Sequence, residues 1–373
     1  MLNIYVDTPA FFIRPNTNTD WRYMRQLRRI SEHVEARFLY PIDFNDILYE
    51  NVNVIAKAII GRVLNGYSRY NPGLRARTIS ADRVARSGAD IIYSHRHQLP
   101  ANSGPAPMIW FYGVADPKML MANGVSESEI AAQYEAQAKN YRRATKVQVT
   151  SEAEVKRHAS RFPELADRFA SVPWFRPGLS PIPASQAREK HSDDQIVRLL
   201  FIGRQARRKG LDILLDAIRL MNDAERKRLS LDIVSSFSDG PVDLDVDVDF
   251  RCHKEIDNPT LFNLIHRAHV YAMPCRFETF GLVFVEAMSQ GCAVLGPDWE
   301  VQREILDYGG AGINSAANPE SVCGGLRRLC FDRITRATLA QSGIERFVGK
   351  YSPQVVARSY MTMFESAIDA RRN

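Results

Sequence analysis

Strand-like and helix-like stretches alternate through both halves of this 373-residue chain. Short apolar runs such as Ile91–Ser94 and Met108–Phe111 are typical of buried strands, and Glu127–Arg143 has the spacing of an amphipathic helix. Strands that alternate with helices form parallel sheets, because each parallel connection needs a long crossover. The sequence therefore predicts an α/β protein built on parallel sheets.

The length of the chain predicts two domains, because a single core rarely grows beyond about 250–300 residues. The segment Ser171–Gln186 concentrates proline, glycine and serine, which is typical of a linker. We expect domains over 1–185 and 186–351, followed by an amphipathic helix within 352–373. Further strands are predicted at Leu2–Val6, Ala36–Tyr40, Val147–Thr150, Leu231–Ser235, Val248–Cys252, His269–Met273 and Cys292–Leu295, and further helices at Trp21–Glu35, Gly210–Met221, Asn258–His266, Phe280–Gln290 and Pro319–Phe331.

Two glutamates lie close to the opening of one predicted helix in the second half. Glu278 is in the loop that follows the strand His269–Met273, and Glu286 is on the helix Phe280–Gln290 that comes next. In a parallel α/β sheet, loops at the carboxyl ends of strands line the ligand crevice, and a helix N-terminus offers unpaired N–H groups to an anion. This corner of the protein therefore suits an anionic ligand that carries hydroxyl groups.

The spacing of Glu278 and Glu286 resembles the E-x7-E motif of retaining GT-B glycosyltransferases, specifically glycosyltransferase family 4. Upstream, Val197–Ala217 is similar to the strand–GR…KG–helix element of that family, with Arg204 and Lys209 in its basic positions. The resemblance implies a GT-B fold, in which the parallel sheets of two Rossmann-like domains face a central cleft. It also implies a terminal helix that crosses back to the first domain.

The same resemblance implies a retaining, metal-independent hexosyltransferase that uses a nucleotide diphosphate sugar as donor. The implied acceptor is a glycan or a lipid-linked molecule, and bacterial surface polysaccharide or glycoconjugate synthesis is the expected setting. The implied site residues are Arg204 and Lys209 for the donor diphosphate, Glu286 for the nucleotide ribose, Glu278 for the transferred sugar, and Gly203 with the backbone of Phe280, Gly281 and Leu282 for donor binding.

The chemistry of sugar transfer needs these residue types. A departing diphosphate carries growing negative charge, which a guanidinium, an ammonium and a helix N-terminus stabilise more in the transition state than in the ground state. A carboxylate beside the anomeric carbon positions hydroxyl groups and stabilises oxocarbenium character. Simpler alternatives exist: the basic cluster within 204–209 can be a solvated face, and Glu286 can be an exposed residue beside a core stripe.

The first half departs from the family pattern. Tyr112 follows a predicted strand at the place where many family members carry a histidine, and a tyrosine is not a general base near neutral pH. A polar loop replaces the glycine pair that often follows the first strand, and Asn18 and Thr19 are its candidate acceptor or phosphate contacts. His95 and His97 follow another predicted strand, and they are candidates for the first-domain side of the cleft.

No metal or other cofactor is expected. Asp245–Asp249 contains D-x-D, which holds a metal at the end of a strand in GT-A transferases, but here it precedes a predicted strand. The five cysteines all lie in the second half without a C-x-x-C pair, which favours a reducing cytoplasm. Cys323 and Cys330, seven residues apart on a predicted helix, indicate a buried stripe rather than a pair of metal ligands.

The net charge of +6 and a dense set of arginines in the first half bear on possible partners. No apolar run reaches about 18 residues, so we expect a cytoplasmic protein, with peripheral contact at the inner face of an anionic membrane as an option. The apolar set within 49–67 is either a core helix or a membrane-facing one. The arginines, which could equally form solvated helix faces, are Arg22, Arg25, Arg28, Arg29, Arg62, Arg69, Arg75, Arg77, Arg83 and Arg86.

Two other classes of protein stay open. A GT-B-shaped nucleotide-sugar epimerase or phosphorylase would use similar phosphate-binding and acidic residues, and analysis of its products would distinguish it from a transferase. A basic nucleic-acid-binding protein is the non-enzyme alternative. The chain contains no helix-turn-helix, RNP or zinc-finger pattern, so we expect no nucleic acid partner.

Overall fold

The computed structural model describes residues 2–7, 36–39, 89–94, 106–111, 113–193 and 195–372. Several sequence predictions fall elsewhere. The helix Trp21–Glu35, the apolar set within 49–67 and the arginines from Arg22 to Arg86 all lie outside the described residues.

The first sheet has six strands in the order β2-β1-β3-β4-β5-β6, and every neighbouring pair is parallel. Its central strands are fully buried at Ile92, Tyr93 and Trp110, which is the usual environment of strands in a parallel sheet. The strands are β1 Leu2–Asp7, β2 Ala36–Leu39, β3 Ile91–Ser94, β4 Met108–Phe111, β5 Lys146–Val149 and β6 Phe169–Ser171.

Side-chain caps set where two helices of the first half begin. Ser126 and Glu129 form a reciprocal capping box at the start of one, and the Ser151 hydroxyl accepts a hydrogen bond of 3.1 Å from the Glu154 amide at the start of the next. The helices are α1 Pro117–Ala122, α2 Glu127–Arg143 and α3 Glu152–Arg161, and a 3₁₀ turn at Pro163–Arg168 follows.

The second sheet also has six strands, in the order β12-β11-β10-β7-β8-β9, and it is parallel throughout. The α/β prediction with parallel sheets is therefore confirmed. The strands are β7 Val197–Ile202, β8 Leu229–Val234, β9 Asp249–His253, β10 Val270–Ala272, β11 Ala293–Pro297 and β12 Ile313–Ser315. The helices are α4 Ala184–Lys190, α5 Leu211–Arg219, α6 Asp223–Arg226, α7 Asn258–Arg267, α8 Leu282–Ser289, α9 Glu300–Ile305, α10 Pro319–Phe331, α11 Arg333–Arg346 and α12 Pro353–Arg372.

Helix α12 packs against the first sheet. Its residues Tyr360 and Phe364 share a hydrophobic cluster with Ile4 and Tyr93 of that sheet. The Tyr360 hydroxyl also accepts a hydrogen bond of 3.1 Å from the Nε2 of Gln148. The last helix of the chain therefore contributes to the core beneath the first sheet.

The segment 172–183 connects the two halves and is anchored in both cores. Phe175 is buried in the cluster of the first sheet, and Leu179 is buried in the large cluster of the second sheet. The domain limits at 185 and 351 stay predictions. In the part of the chain that the structure describes, no helix is both long enough and apolar enough to cross a membrane.

Candidate active site

Two loops meet at the carboxyl ends of β7 and β10. These strands are parallel neighbours at the centre of the second sheet, so the loops that leave them lie side by side. The Arg276 amide, in the loop after β10, donates a hydrogen bond of 3.0 Å to the Arg208 carbonyl, in the loop after β7. The sequence elements that carry Lys209 and Glu278 are therefore brought together.

Lys209 and Glu278 form an ion pair between the Nζ of the lysine and the Oε2 of the glutamate. Each side chain is 13% exposed, so the pair is largely shielded but still reaches solvent. Gly203 makes room for the lysine, since a Cβ at this position would lie 2.7 Å from the Cβ and Cγ of Lys209. The structure therefore brings Gly203, Lys209 and Glu278 together, and their roles in donor binding stay predictions.

Arg204 directly follows Gly203 in the loop after β7, and its side chain is exposed. Its carbonyl accepts hydrogen bonds from the hydroxyl groups of Ser236, at 3.0 Å, and Ser238, at 3.2 Å, so its backbone is held by the loop after β8. Among the described residues, its guanidinium has no hydrogen-bond or ion-pair partner. The Arg204 side chain is therefore available to a ligand.

Arg208 differs from Arg204 and Lys209 because it makes hydrogen bonds to neighbouring loops. Its Nη1 donates a hydrogen bond of 2.7 Å to the Phe277 carbonyl, and its amide donates one of 2.8 Å to the carboxylate of Asp239. Arg208 therefore ties the loop after β7 to its neighbours, whereas Arg204 and Lys209 lie where an anion could reach them.

Helix α8 begins at Leu282, two residues later than the sequence indicates. Gly281 precedes it with φ of 87°, a left-handed conformation that side chains disfavour, and a Cβ there would lie 2.6 Å from the Cδ2 of Phe284. Within the described residues, the amides of Gly281, Leu282 and Val283 donate to no acceptor. These free N–H groups form an anion-binding helix start directly beside Glu278.

Gln302 holds the Glu278 loop in place, and sequence reasoning missed it. This fully buried residue of α9 donates from Nε2 to the carbonyls of Phe280, at 2.8 Å, and Glu278, at 3.2 Å. Phe280 is itself buried, and its amide donates to the Oε1 of Glu278 at 3.4 Å. A glutamine 22 residues after Phe280 gives no sequence signal for this contact, because it depends on how α9 packs.

Glu286 is on the second turn of α8 and is only 4% exposed. The alternative of an exposed surface residue is therefore wrong. Its Oε1 accepts a hydrogen bond of 2.6 Å from the Nη1 of Arg176, which forms an ion pair with it from the linker segment. Sequence reasoning also missed Arg176, because a single arginine in a segment rich in proline carries no motif.

The first-domain candidates His95, His97, Tyr112, Asn18 and Thr19 lie outside the described residues. The residues that follow Tyr112 contact a different histidine, His158 of α3, which the sequence analysis did not select. The Nε2 of His158 accepts a hydrogen bond of 3.1 Å from the Val114 amide, and its Nδ1 donates one of 2.8 Å to the Glu154 carbonyl.

Burial, and secondarily the nearby Arg157 guanidinium, lowers the pKa of His158 from 6.5 to about 4. The ring is therefore neutral, with both nitrogens used for structural hydrogen bonds. Burial raises the pKa of the neighbouring Glu154 carboxyl, whose Oε2 accepts from the amide of Thr150 at 2.8 Å. These two groups stabilise the carboxyl end of the first sheet rather than serve as a free acid and base.

The D-x-D segment lies on the surface before β9. Asp243 is paired with Arg219, Asp247 lies 3.7 Å from Arg226, and Asp245 is exposed. Over the described residues, no three or more histidine, cysteine or acidic side chains converge in a way that would hold a metal ion. Cys323 and Cys330 are both buried on α10, as predicted for a stripe that packs into the core.

Several solved structures share this fold over nearly the whole chain. Sucrose-phosphate synthase from Thermosynechococcus elongatus has a TM-score of 0.65 at 15% identity, with 98% of each chain covered. HepE from Anabaena, solved in complex with UDP-glucose, has a TM-score of 0.62 at 14% identity, with 98% of this chain and 100% of that chain covered. WaaG, a glycosyltransferase involved in lipopolysaccharide biosynthesis, has a TM-score of 0.56 at 15% identity, with 97% and 98% covered. The fold is therefore GT-B.

Residues 197–332 match the family described as glycosyl transferases group 1. This match confirms the resemblance drawn from the two motifs of the second half. The matched residues contain Arg204, Lys209, Glu278 and Glu286.

The curated relatives match only part of the chain. An uncharacterized glycosyltransferase of Methanocaldococcus jannaschii is 26% identical over 177 residues, which is 46% of this chain and 45% of that protein. A D-inositol 3-phosphate glycosyltransferase of Catenulispora acidiphila is 26% identical over 213 residues, or 53% and 50%. A phosphatidyl-myo-inositol mannosyltransferase of Mycolicibacterium smegmatis is 30% identical over 118 residues, or 31% and 30%. The chain thus spans half or less of the length of these relatives.

Proposed function

We propose that this protein transfers a hexose from a nucleotide diphosphate sugar to a glycan or lipid-linked acceptor, with retention of configuration at the anomeric carbon. The match of residues 197–332 to the group 1 glycosyltransferases supports the class of reaction. The observation that carries the proposal is the meeting of Lys209, Glu278 and the free amides at the start of α8, at the carboxyl end of a parallel sheet.

The diphosphate of the donor binds to Arg204, Lys209 and the amides at the start of α8. In this structure the charges of Lys209 and Glu278 compensate each other. When the donor binds, a phosphate oxygen takes the place of the carboxylate beside Lys209. Glu278 then turns to the hydroxyl groups of the sugar. The positive charge of this corner stabilises the leaving diphosphate, so we assign no metal ion to the reaction.

Transfer proceeds on the front face of the sugar. The bond between the anomeric carbon and the diphosphate oxygen breaks, and a bond from the acceptor oxygen forms on the same face. The proton of the acceptor hydroxyl passes to the departing diphosphate, which remains held by Arg204 and Lys209. Glu278 lies beside the anomeric carbon and stabilises its oxocarbenium character. Glu286 binds the ribose of the nucleotide.

The setting that we propose is synthesis of a bacterial surface polysaccharide or glycoconjugate by a cytoplasmic protein at the inner face of the membrane. One structural neighbour is named for lipopolysaccharide biosynthesis, and one relative is named as a phosphatidyl-myo-inositol mannosyltransferase. HepE, solved with UDP-glucose, makes that molecule the first donor to test.

Calorimetric titration with UDP, GDP and ADP tests the donor site. We expect one diphosphate to bind the wild-type protein, and Lys209→Met to weaken that binding by about 10- to 100-fold, the usual value of hydrogen bonds to a charged group. The matched control is Lys227→Met, at an exposed lysine far from the loops after β7 and β10, which should bind as wild type. Equal affinities of wild type and Lys209→Met would contradict the proposed site.

A further inference from the structure

Arg176 is held by three separate parts of the protein. Its backbone belongs to the linker segment 172–183, between the buried Phe175 and the buried Leu179. Its guanidinium lies 4.2 Å from the centre of the Phe262 ring on α7 and forms an ion pair with Glu286 on α8. A guanidinium that stacks on a ring and donates to a carboxylate has a fixed plane. The direction in which it donates is therefore fixed as well.

Arg176 consequently holds only one of the two oxygens of the Glu286 carboxylate. Arg176 donates to Oε1 at 2.6 Å, whereas Oε2 accepts no hydrogen bond from any residue within the described ranges. Oε2 also remains in contact with solvent. One oxygen of Glu286 is thus immobilised by the linker, and the other is left open to a ligand.

The surroundings of this open oxygen suit a nucleotide. Helix α7 begins just after the carboxyl end of β9, and α8 begins with the free amides beside Glu278. Phe262 and Glu286 therefore lie on two helices that open towards the same edge of the sheet, where an α/β protein binds its ligand. Arg176 joins these two helices from the linker.

We propose that Arg176 is a positioning residue of the donor site, which fixes Oε1 of Glu286 so that Oε2 meets the ribose hydroxyls of the nucleotide. This inference rests on the proposed function, because it takes Glu286 as the ribose ligand. A fixed acceptor favours one hydroxyl geometry over others. Arg176 therefore makes the protein discriminate between ribonucleotides and 2′-deoxyribonucleotides.

The physical reason is the difference between a fixed and a rotating carboxylate. A buried, fixed oxygen that loses its hydroxyl partner stays unpaired, so the analogue without that hydroxyl binds poorly. Without Arg176, the Glu286 carboxylate can turn to other donors, and the loss of one ribose hydroxyl costs less. The ratio of the two affinities therefore reports on Arg176, whereas a general loss of structure would lower both affinities together.

The test is calorimetric titration with UDP, GDP and ADP, each beside its 2′-deoxy counterpart. For the nucleotide that the wild type binds, we expect the ribose form to bind at least about tenfold more tightly than the deoxy form. In Arg176→Met that ratio should fall to roughly threefold or less, with weaker binding of the ribose form. Arg176→Lys restores the charge but not the planar contact, and its ratio should be intermediate.

A second variant covers the case in which Arg176→Met does not fold. Phe262→Leu keeps Arg176 but removes the ring against which it stacks, so it should also lower the ratio. Arg327→Met, which breaks an ion pair with Glu225 on another surface, is the control that should keep the wild-type ratio.

The outcomes separate this inference from the proposed function. A wild-type ratio in folded Arg176→Met, or in Phe262→Leu should the first variant not fold, would overturn the role of Arg176 and leave the donor site standing. A wild type that binds ribose and deoxy forms equally would overturn it as well, because Glu286 would then not read the 2′-hydroxyl. A wild type that binds no nucleotide would overturn both proposals.

Discussion

Arg157 of α3 and Glu300 of α9 join the two halves of the molecule, since the Nε of Arg157 lies 3.1 Å from Oε1 and 3.0 Å from Oε2 of Glu300. The two side chains are 14% and 22% exposed, so this ion pair is mostly shielded from water. Nearby, the carboxylate of Glu304 accepts hydrogen bonds from two amides at the start of α3, at 3.1 and 2.8 Å. Two glutamates of α9 therefore bind one helix of the first half.

Substitution of Arg157 should break this contact between α3 and α9. In Arg157→Met the Glu300 carboxylate would remain in its shielded place without its cation, and we expect the free energy of unfolding to fall by about 3 kcal/mol. Unfolding in urea, followed by circular dichroism, measures this change. The control is Arg161→Met on the same helix, where the arginine is 48% exposed and its carboxylate partner Glu135 is 3.9 Å away. That control should change stability by less than about 1 kcal/mol, and equal effects of the two substitutions would contradict the shielded contact.

Three buried histidines make the stability fall in mild acid. Burial is the main cause that lowers the pKa of His158 and His191 to about 4 and that of His269 to about 3, from the ordinary 6.5. Below pH 6.5 these histidines bind protons in the unfolded chain but stay neutral in the folded chain. Their contribution is therefore complete above pH 6.5, and it is lost as the pH falls towards 4 for His158 and His191 and towards 3 for His269.

His158→Gln should remove one of these three groups. Each histidine contributes a slope of about 1.4 kcal/mol per pH unit to the free energy of unfolding within this window. We expect the slope of the variant to be lower than that of the wild type by about this amount, measured by urea unfolding at several pH values. The comparison between the two proteins removes the opposite effect of Glu154 and Glu300, whose pKa is raised by burial. Identical slopes would show that His158 is not buried in its neutral form.

Gly281→Ala should damage the start of α8. The substitution places a Cβ at φ of 87° and 2.6 Å from the Phe284 ring, so we expect a loss of about 1–3 kcal/mol in unfolding free energy. Nucleoside diphosphate affinity should fall as well, because the free amides would change direction. The matched control is Gly324→Ala, in the exposed interior of α10 with nothing within 4 Å of its Cβ, which should gain about 0.5–1 kcal/mol. A loss of similar size in both variants would contradict the special role of Gly281.

Local patterns were enough to predict single elements in both halves and part of the site in the second half. The helices Glu127–Arg143 and Pro319–Phe331 have the bounds expected from their spacing and their caps. Neighbouring β7 and β10 then bring Lys209 and Glu278 together, because parallel strands release their loops at the same edge. This part of the site was predictable because it depends on sheet order and on two short motifs.

Contacts between distant segments were not predictable. Arg176 reaches Glu286 over 110 residues, and Gln302 fixes the Glu278 loop through two carbonyls on another element. Both contacts depend on how the linker and α9 pack, and neither residue carries a local signal. The start of α8 was misplaced by two residues for a related reason: the left-handed Gly281 delays the helix, although Phe280 before it is apolar.

The measurement that tests the central claim most directly is the release of nucleoside diphosphate from a panel of UDP-, GDP- and ADP-hexoses by wild type, Glu278→Gln and Lys209→Ala. We predict release from one donor by the wild type, with most turnover lost in both variants. Glu278→Gln should still bind the nucleotide, whereas Lys209→Ala should lose binding and turnover together. Failure of the wild type to act on any donor, or near-normal turnover in Glu278→Gln, would contradict the assignment of this corner of the second sheet as the site of sugar transfer.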